Sequence, residues 1–110
     1  MKLPKRQKAY IPPYKLSGYL LSKIHPIGRW KSKLFRALGF DETNADVLEQ
    51  RLIDIANYEN VKESIVSEHG TKYVIDGSLE TPSGRIVKVR TIWIIDKGQD
   101  SPRFVTAYPI

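Results

Sequence analysis

The hydrophobic period of this chain changes once, near Val61, and that change limits the folds open to it. Before it, apolar residues recur at spacings of three and four, as on one face of a helix. After it they alternate, as on one face of a strand. Helical patterns at one end and strand patterns at the other argue for an α+β domain, with two to three helices packed on one face of a four-stranded antiparallel meander. The 110 residues are one domain's length. Residues 1–110 are therefore expected to form a single free-standing domain, without linker or internal repeat.

Residues 1–9 are basic, polar and aperiodic, and predict a loose arm with Leu3 or Tyr10 tucked against the body. Pro13 can occupy the first turn of a helix. In that helix Leu16, Tyr19, Leu20 and Ile24 share one face, and Pro26 ends it. The second helix is predicted from Gly28 to Leu38. Trp30, Leu34, Phe35 and Leu38 form its buried stripe, and Arg29, Lys33 and Arg36 lie together on another face. Gly39 suits the position after the helix. Asp41 to Thr43 caps a third helix, with Thr43 and Asp46 at capping-box spacing and Leu48, Leu52 and Ile55 buried.

Strands are predicted at Val61 to Glu68, Lys72 to Leu79, Arg85 to Ile95 and Arg103 to Tyr108. His69-Gly70 and Thr81-Pro82-Ser83-Gly84 read as turns. Along the third strand Val87, Val89, Thr91, Trp93 and Ile95 look like core, and Lys88 and Arg90 lie on the opposite face. Along the fourth, Val105 and Ala107 share one face, and Phe104, Thr106 and Tyr108 the other. Arg90 with Thr106 and Tyr108 on one side would make a phosphate-holding patch, a bidentate fork with two hydroxyls. A solvated sheet face with cross-strand hydrogen bonds is the competing reading.

Charge separates the chain in another way. Residues 1–40 carry ten Lys or Arg and no acid, whereas residues 41–110 carry eight basic and twelve acidic residues. Such a cationic block points to a polyanionic partner, most often nucleic acid, or else to a solvated basic face. Cysteine is absent, which excludes disulfides, a thiolate nucleophile and cysteine metal sites. No apolar run approaches the roughly 20 residues of a membrane span, and no signal-peptide pattern opens the chain. A cytoplasmic protein with no membrane contact is expected.

His25 precedes the second helix, whose free N–H groups favour an anion. A histidine beside a phosphate suits metal-free RNA cleavage, because imidazole exchanges protons near neutral pH. A nearby cation would stabilise the charge gathering on phosphorus. A structural turn histidine is the alternative. The carboxylates show no metal-ligand spacing, so neither a metal nor another cofactor is expected.

Three motifs carry a resemblance. His25-Pro26-x-Gly28-Arg29-x-Lys31 running to Phe35 and Leu38-Gly39, then Val89-Arg90-Thr91-x-Trp93, then Val105-Thr106-Ala107-Tyr108-Pro109, resemble a small uncharacterised bacterial domain family. That family in turn resembles the barnase–EndoU–colicin–RelE group of ribonuclease toxins. The resemblance implies a ribonuclease-toxin-like fold with its active groups on the exposed side of the sheet. It implies a toxin of a toxin–antitoxin or polymorphic-toxin system that cuts RNA, such as tRNA or mRNA, by 2′-OH attack. An acidic antitoxin or immunity protein would neutralise it. His25 would be the acid/base, Arg29 and Arg90 would hold the phosphate, and Thr106 and Tyr108 would orient it or share in proton transfer. Lys31, Lys33, Arg36 and Lys88 would bind further phosphates. A second histidine is missing from the pattern, so His69, Tyr108 or Lys33 would have to supply the other proton-transfer group. Two other functions fit the same residues: a non-catalytic nucleic-acid-binding module, and a protein-binding module of immunity type.

Overall fold

The strand-forming half becomes β1 (Glu63–Ser67), β2 (Gly70–Glu80), β3 (Ile86–Asp96) and β4 (Arg103–Pro109). All neighbours are antiparallel, in the order β1-β2-β3-β4. The helical half becomes α1 (Pro13–Lys15), which runs on as a π-helical turn (Leu16–Leu20), then α2 (Gly28–Ala37) and α3 (Ala45–Tyr58). The computed structural model describes residues 1–25 and 28–110. The α+β meander expected from the period change is the observed architecture.

The third strand buries the face that alternation assigned to it. Ile75 and Leu79 of β2, Val89, Thr91 and Trp93 of β3, and Phe104 and Ala107 of β4 are buried. Trp93 meets Phe104 edge-on, with centroids 5.3 Å apart, a favoured aromatic geometry. Its indole N–H donates to Thr91 Oγ1 at 2.8 Å, and Thr91 donates to the Ile75 carbonyl at 2.7 Å. The two buried polar groups thus satisfy each other. Leu48, Leu52 and Ile55 of α3 are buried as predicted. Ile55 lies so close over β2 that a Cβ on Gly77 would stand 2.9 Å from Ile55 Cγ2. Glycine at 77 is what allows this approach.

The structure departs from the sequence expectations in four places. First, a bulge in β4 opposite Ile92 and Trp93 makes Trp93 pair with Phe104, and Ile92 with Thr106. The extra residue, Val105, re-phases the strand, so Phe104 joins Ala107 on the core face. Thr106 and Tyr108 keep the opposite face, with Tyr108 directly across from Arg90. Second, α1 stops at Leu20 rather than near Ile24, which is 89% exposed. Ser22 Oγ accepts from the backbone N–H groups of Ile24 and His25 at 3.2 and 3.1 Å, an alternative to continuing the helix. The stop assigned to Pro26 lies outside the described residues.

Third, α2 is rotated relative to its expected stripe. Phe35, Leu38 and Ser32 are buried, whereas Trp30 is 62% and Leu34 49% exposed. A C-terminal cap closes the helix. Phe40 N–H donates to the Phe35 carbonyl and Gly39 N–H to that of Arg36, with Gly39 at φ 101°. This is the double bond pattern of a glycine cap, and the Phe35 and Phe40 rings close it 6.5 Å apart. Fourth, the capping box before α3 sits at Asp41 and Asn44 rather than Thr43 and Asp46. The basic N-terminal stretch lies along the body. Leu3 is fully buried, and Tyr10 pairs with the β4 edge through bonds to Pro102 and Phe104.

Candidate functional site

At the β4 edge the first helical turns of the chain reach the sheet. The π-helical turn of α1, closed by Leu21 N–H to the Leu16 carbonyl at 2.7 Å, presents Tyr19 to the outer face of the sheet. Its hydroxyl and Thr106 Oγ1 are hydrogen-bonded at 3.1 Å. The His25 ring stands edge-on to Tyr19, with centroids 5.1 Å apart and planes at 90°. Backbone bonds hold His25 on both sides: its N–H donates to Ser22 Oγ, and its carbonyl accepts from Arg29 N–H at 3.0 Å.

Lys31 closes the cluster from α2. Its ammonium lies 5.6 Å from the Tyr19 centroid and 5.9 Å from that of Tyr108. Lys15 lies 4.7 Å from the Tyr19 centroid. Tyr108 faces Arg90 across β3–β4. Arg90 Nε and Nη2 donate to the Asp76 carboxylate at 2.8 and 3.0 Å, and Lys62 stands 3.7 Å from the same carboxylate. His25, Tyr19, Lys15, Lys31, Arg90, Asp76, Thr106 and Tyr108 are all half-buried, so the cluster is open to solvent without being fully solvated.

The electrostatics follow from these contacts. Burial pushes the Tyr19 phenol up. The Thr106 bond, the Lys31 bond and charge, and the Lys15 charge outweigh it and hold the pKa below its ordinary value of 10.0. The Arg90 bond holds the Asp76 carboxyl below its ordinary 3.8, against some desolvation and with help from Lys62. Asp76, and in smaller part Tyr108, raise the Arg90 guanidinium further above its usual range. Arg90 is therefore not a bare fork. Asp76 holds two of its nitrogens, which leaves Nη1 outside the pair.

Of the residues singled out from sequence, the structure gathers His25, Lys31, Thr106, Tyr108 and Arg90. It places the others elsewhere. At 3.6 residues per turn, Lys31 lies about 200° round α2 from both Arg29 and Lys33. Arg29 and Lys33 flank Trp30 instead, at 6.0 and 4.9 Å from its ring. With Lys23, Ser32 and Arg36 they line a cleft of about 320 Å³. The Arg36 guanidinium is taken up by Glu42, Ser32 Oγ and the Leu21 carbonyl, so it fastens α2 to its neighbours. Lys88 is exposed on the outer sheet face, opposite Ser78. His69 is exposed in the β1–β2 turn beside Glu68, and its carbonyl accepts from Lys97 N–H in the β3–β4 loop.

Sequence reasoning missed Tyr19 and Asp76. Tyr19 falls at helical spacing and reads as core. Only its place among cations, without an acid in the first forty residues, hinted otherwise. Asp76 sits on the polar face of β2, directly across from Arg90, a pairing that becomes visible once the register is known. Among the described residues no three His, Asp or Glu side chains come together as a metal site. Among them, too, no helix is long and apolar enough to cross a membrane.

A family model described as "Domain of unknown function (DUF6883)" matches residues 2–110. Among solved structures, a chain of the contact-dependent growth inhibition toxin–immunity protein complex from Klebsiella pneumoniae 342 is similar, with a TM-score of 0.77 and 19% identity. The match covers 92% of this chain and 99% of that one. At this identity the likeness is one of fold. No curated protein matches the sequence.

Proposed function

This chain belongs to the DUF6883 family, and we propose that it is a toxin domain that cuts RNA without a metal. The observation that carries the reading is the Tyr19 hydroxyl. It is bonded to Thr106, polarised by Lys31 and set edge-on to His25, beside Tyr108 and Arg90 on the open sheet face. Proton-transfer groups within reach of cations are what a phosphodiester transfer needs.

In this mechanism His25 takes the proton of a ribose 2′-OH, and the 2′-oxygen attacks phosphorus. The bond from phosphorus to the 5′-oxygen breaks, and Tyr19 gives that oxygen its proton. The products are a 2′,3′-cyclic phosphate and a 5′-hydroxyl. Tyr19 thereby fills the role for which the sequence offered no second histidine, and its depressed pKa makes it a better acid than an ordinary tyrosine. Lys31 and Arg90 Nη1 stabilise the charge on the non-bridging oxygens, and Thr106 and Tyr108 orient the phosphate. Lys88 meets a neighbouring phosphate along the sheet.

The reading includes a partner. A domain of similar fold occurs in a toxin–immunity complex, and the first forty residues here carry cations and no acid. An acidic immunity or antitoxin protein complements that surface. Residues 1–110 act as one domain, and the target RNA places its action in the cytoplasm.

The test is incubation of the purified chain with tRNA, mRNA and ribosomes in EDTA, followed by 3′-end analysis. Cleavage leaving cyclic phosphate ends, lost in His25→Ala, is expected. Salt-sensitive RNA binding with no cleavage of any of the three RNAs would make the chain a binding module instead. Toxicity on expression in a bacterium, relieved by the product of an adjacent gene, checks the partner.

A further inference from the structure

Helix α2 holds a second surface that the cluster at β4 does not use. Trp93 is fully buried in the core, whereas Trp30 is 62% exposed. The Arg29 guanidinium and the Lys33 ammonium lie 6.0 and 4.9 Å from its ring centroid. Beside them opens the cleft of about 320 Å³ that Lys23 also lines. Burying a tryptophan removes a large apolar area from water, and here that gain is forgone.

The charge on this surface selects the occupant. The first forty residues hold no Asp or Glu, and Glu42, which pairs with Arg36 and feels the charge of Lys23, leaves Arg29 and Lys33 to the ring. An exposed indole between two cations offers a flat π-face to a base and two charges to its flanking phosphates. This combination holds unpaired nucleic acid with little regard to sequence. An acidic protein would meet the same cations, but the flat ring between them favours a planar ligand.

We propose that Trp30, with Arg29 and Lys33, is a stacking platform for an unpaired RNA base. Trp30 lies about 100° round α2 from Lys31, and Arg29 and Lys33 about 200°, so the strand crosses the helix between the platform and the β4 cluster. The platform rests on the RNA-directed reading above for its ligand class, and not on cleavage. Its consequence is selectivity: RNA unpaired beside the attacked phosphate engages both surfaces, whereas continuous duplex hides its bases from Trp30.

The experiment uses short 2′-O-methyl RNA, which lacks the 2′-hydroxyl needed for cleavage, and follows tryptophan fluorescence. Trp93 is shielded, so quenching reports on Trp30. An unpaired strand should quench. Trp30→Ala should bind it about ten-fold more weakly, and Trp30→Phe should recover part of the loss. Arg29→Ala and Lys33→Ala should each reduce the salt dependence of binding by about one counterion. Polyphosphate should bind without quenching and equally well to Trp30→Ala. Wild-type affinity of Trp30→Ala for the unpaired strand would overturn the platform. Equal quenching by duplex RNA or by polyglutamate would do so too, the latter marking a protein-docking face. Cleavage of natural RNA with unchanged Trp30→Ala binding would sink the platform and leave the nuclease reading standing. Trp30-dependent binding without cleavage would do the reverse.

Discussion

Tyr19→Phe removes one oxygen atom and keeps a ring, and the two roles open to that oxygen differ in size. The edge contact with His25 and the stack under Lys15 survive the change. The 3.1 Å bond to Thr106 is lost, as is the hydroxyl on which Lys31 acts. One neutral hydrogen bond at a half-buried site contributes about 1 kcal/mol net. For a domain of this length that lowers the melting temperature by about 4–8 °C. Loss of a proton-transfer group instead slows turnover by about 10²–10⁴, or about 3–5 kcal/mol at the barrier. Thermal melting and RNA cleavage on the same folded variant therefore separate a structural tie from a catalytic acid. A variant that melts lower as expected and cuts RNA as fast as the wild type would refute the catalytic role.

The ionisation of Tyr19 gives an independent check. Its pKa is depressed in the fold, so the folded chain sheds this proton before the unfolded chain does. The linked stability is fully present above the ordinary tyrosine value of 10.0 and is lost as pH falls through the lower folded value. In phenolate absorbance, Tyr19 should contribute a step below the ordinary tyrosine value of 10.0, and Tyr19→Phe should lack that early step. An early step that survives in the variant would assign it to another tyrosine.

Three further expectations follow from the geometry. Asp76→Asn removes the charge that occupies Arg90 and should strengthen RNA binding at low salt in a filter-binding assay; weaker binding would argue against an anion role for Arg90. The Asp76 pKa is depressed by Arg90, so its stabilising contribution is present above 3.8 and is lost as pH falls through the folded value; acid unfolding of the variant should lose that component. Gly77→Ala sets a Cβ against Ile55 and should cost about 1–3 kcal/mol in urea unfolding; a neutral result would mean that α3 shifts freely on the sheet. Thr91→Val strips the Trp93 indole N–H of its buried acceptor and should cost about 1–3 kcal/mol, whereas Thr91→Ser, which keeps the hydroxyl, should cost less.

Much of the frame is legible because it is local. The period change near Val61 assigns helices and strands, the alternation along β3 selects Val89, Thr91 and Trp93 for the core, and the spacing in α3 picks out Leu48, Leu52 and Ile55. Other features were not legible, because they turn on which of several local options the packing selects. A serine hydroxyl ends α1, and α2 turns Trp30 and Leu34 outward while it buries Phe35 and Leu38. One inserted residue in β4 decides which side Phe104 takes, since a strand's two faces exchange with every residue.

The candidate site shows where that division falls. By itself the sequence determined that a histidine, a block of cations and the strand residues Arg90, Thr106 and Tyr108 exist in one small α+β chain. Only the tertiary structure decided that Lys31 rather than Arg29 or Lys33 joins them, that Asp76 occupies Arg90, and that Tyr19 links His25 to Thr106. The physical reason is distance along the chain. Tyr19 and Thr106 are 87 positions apart, and a phenol's acidity is set by the groups folding brings beside it, which no spacing within a helix or a strand records.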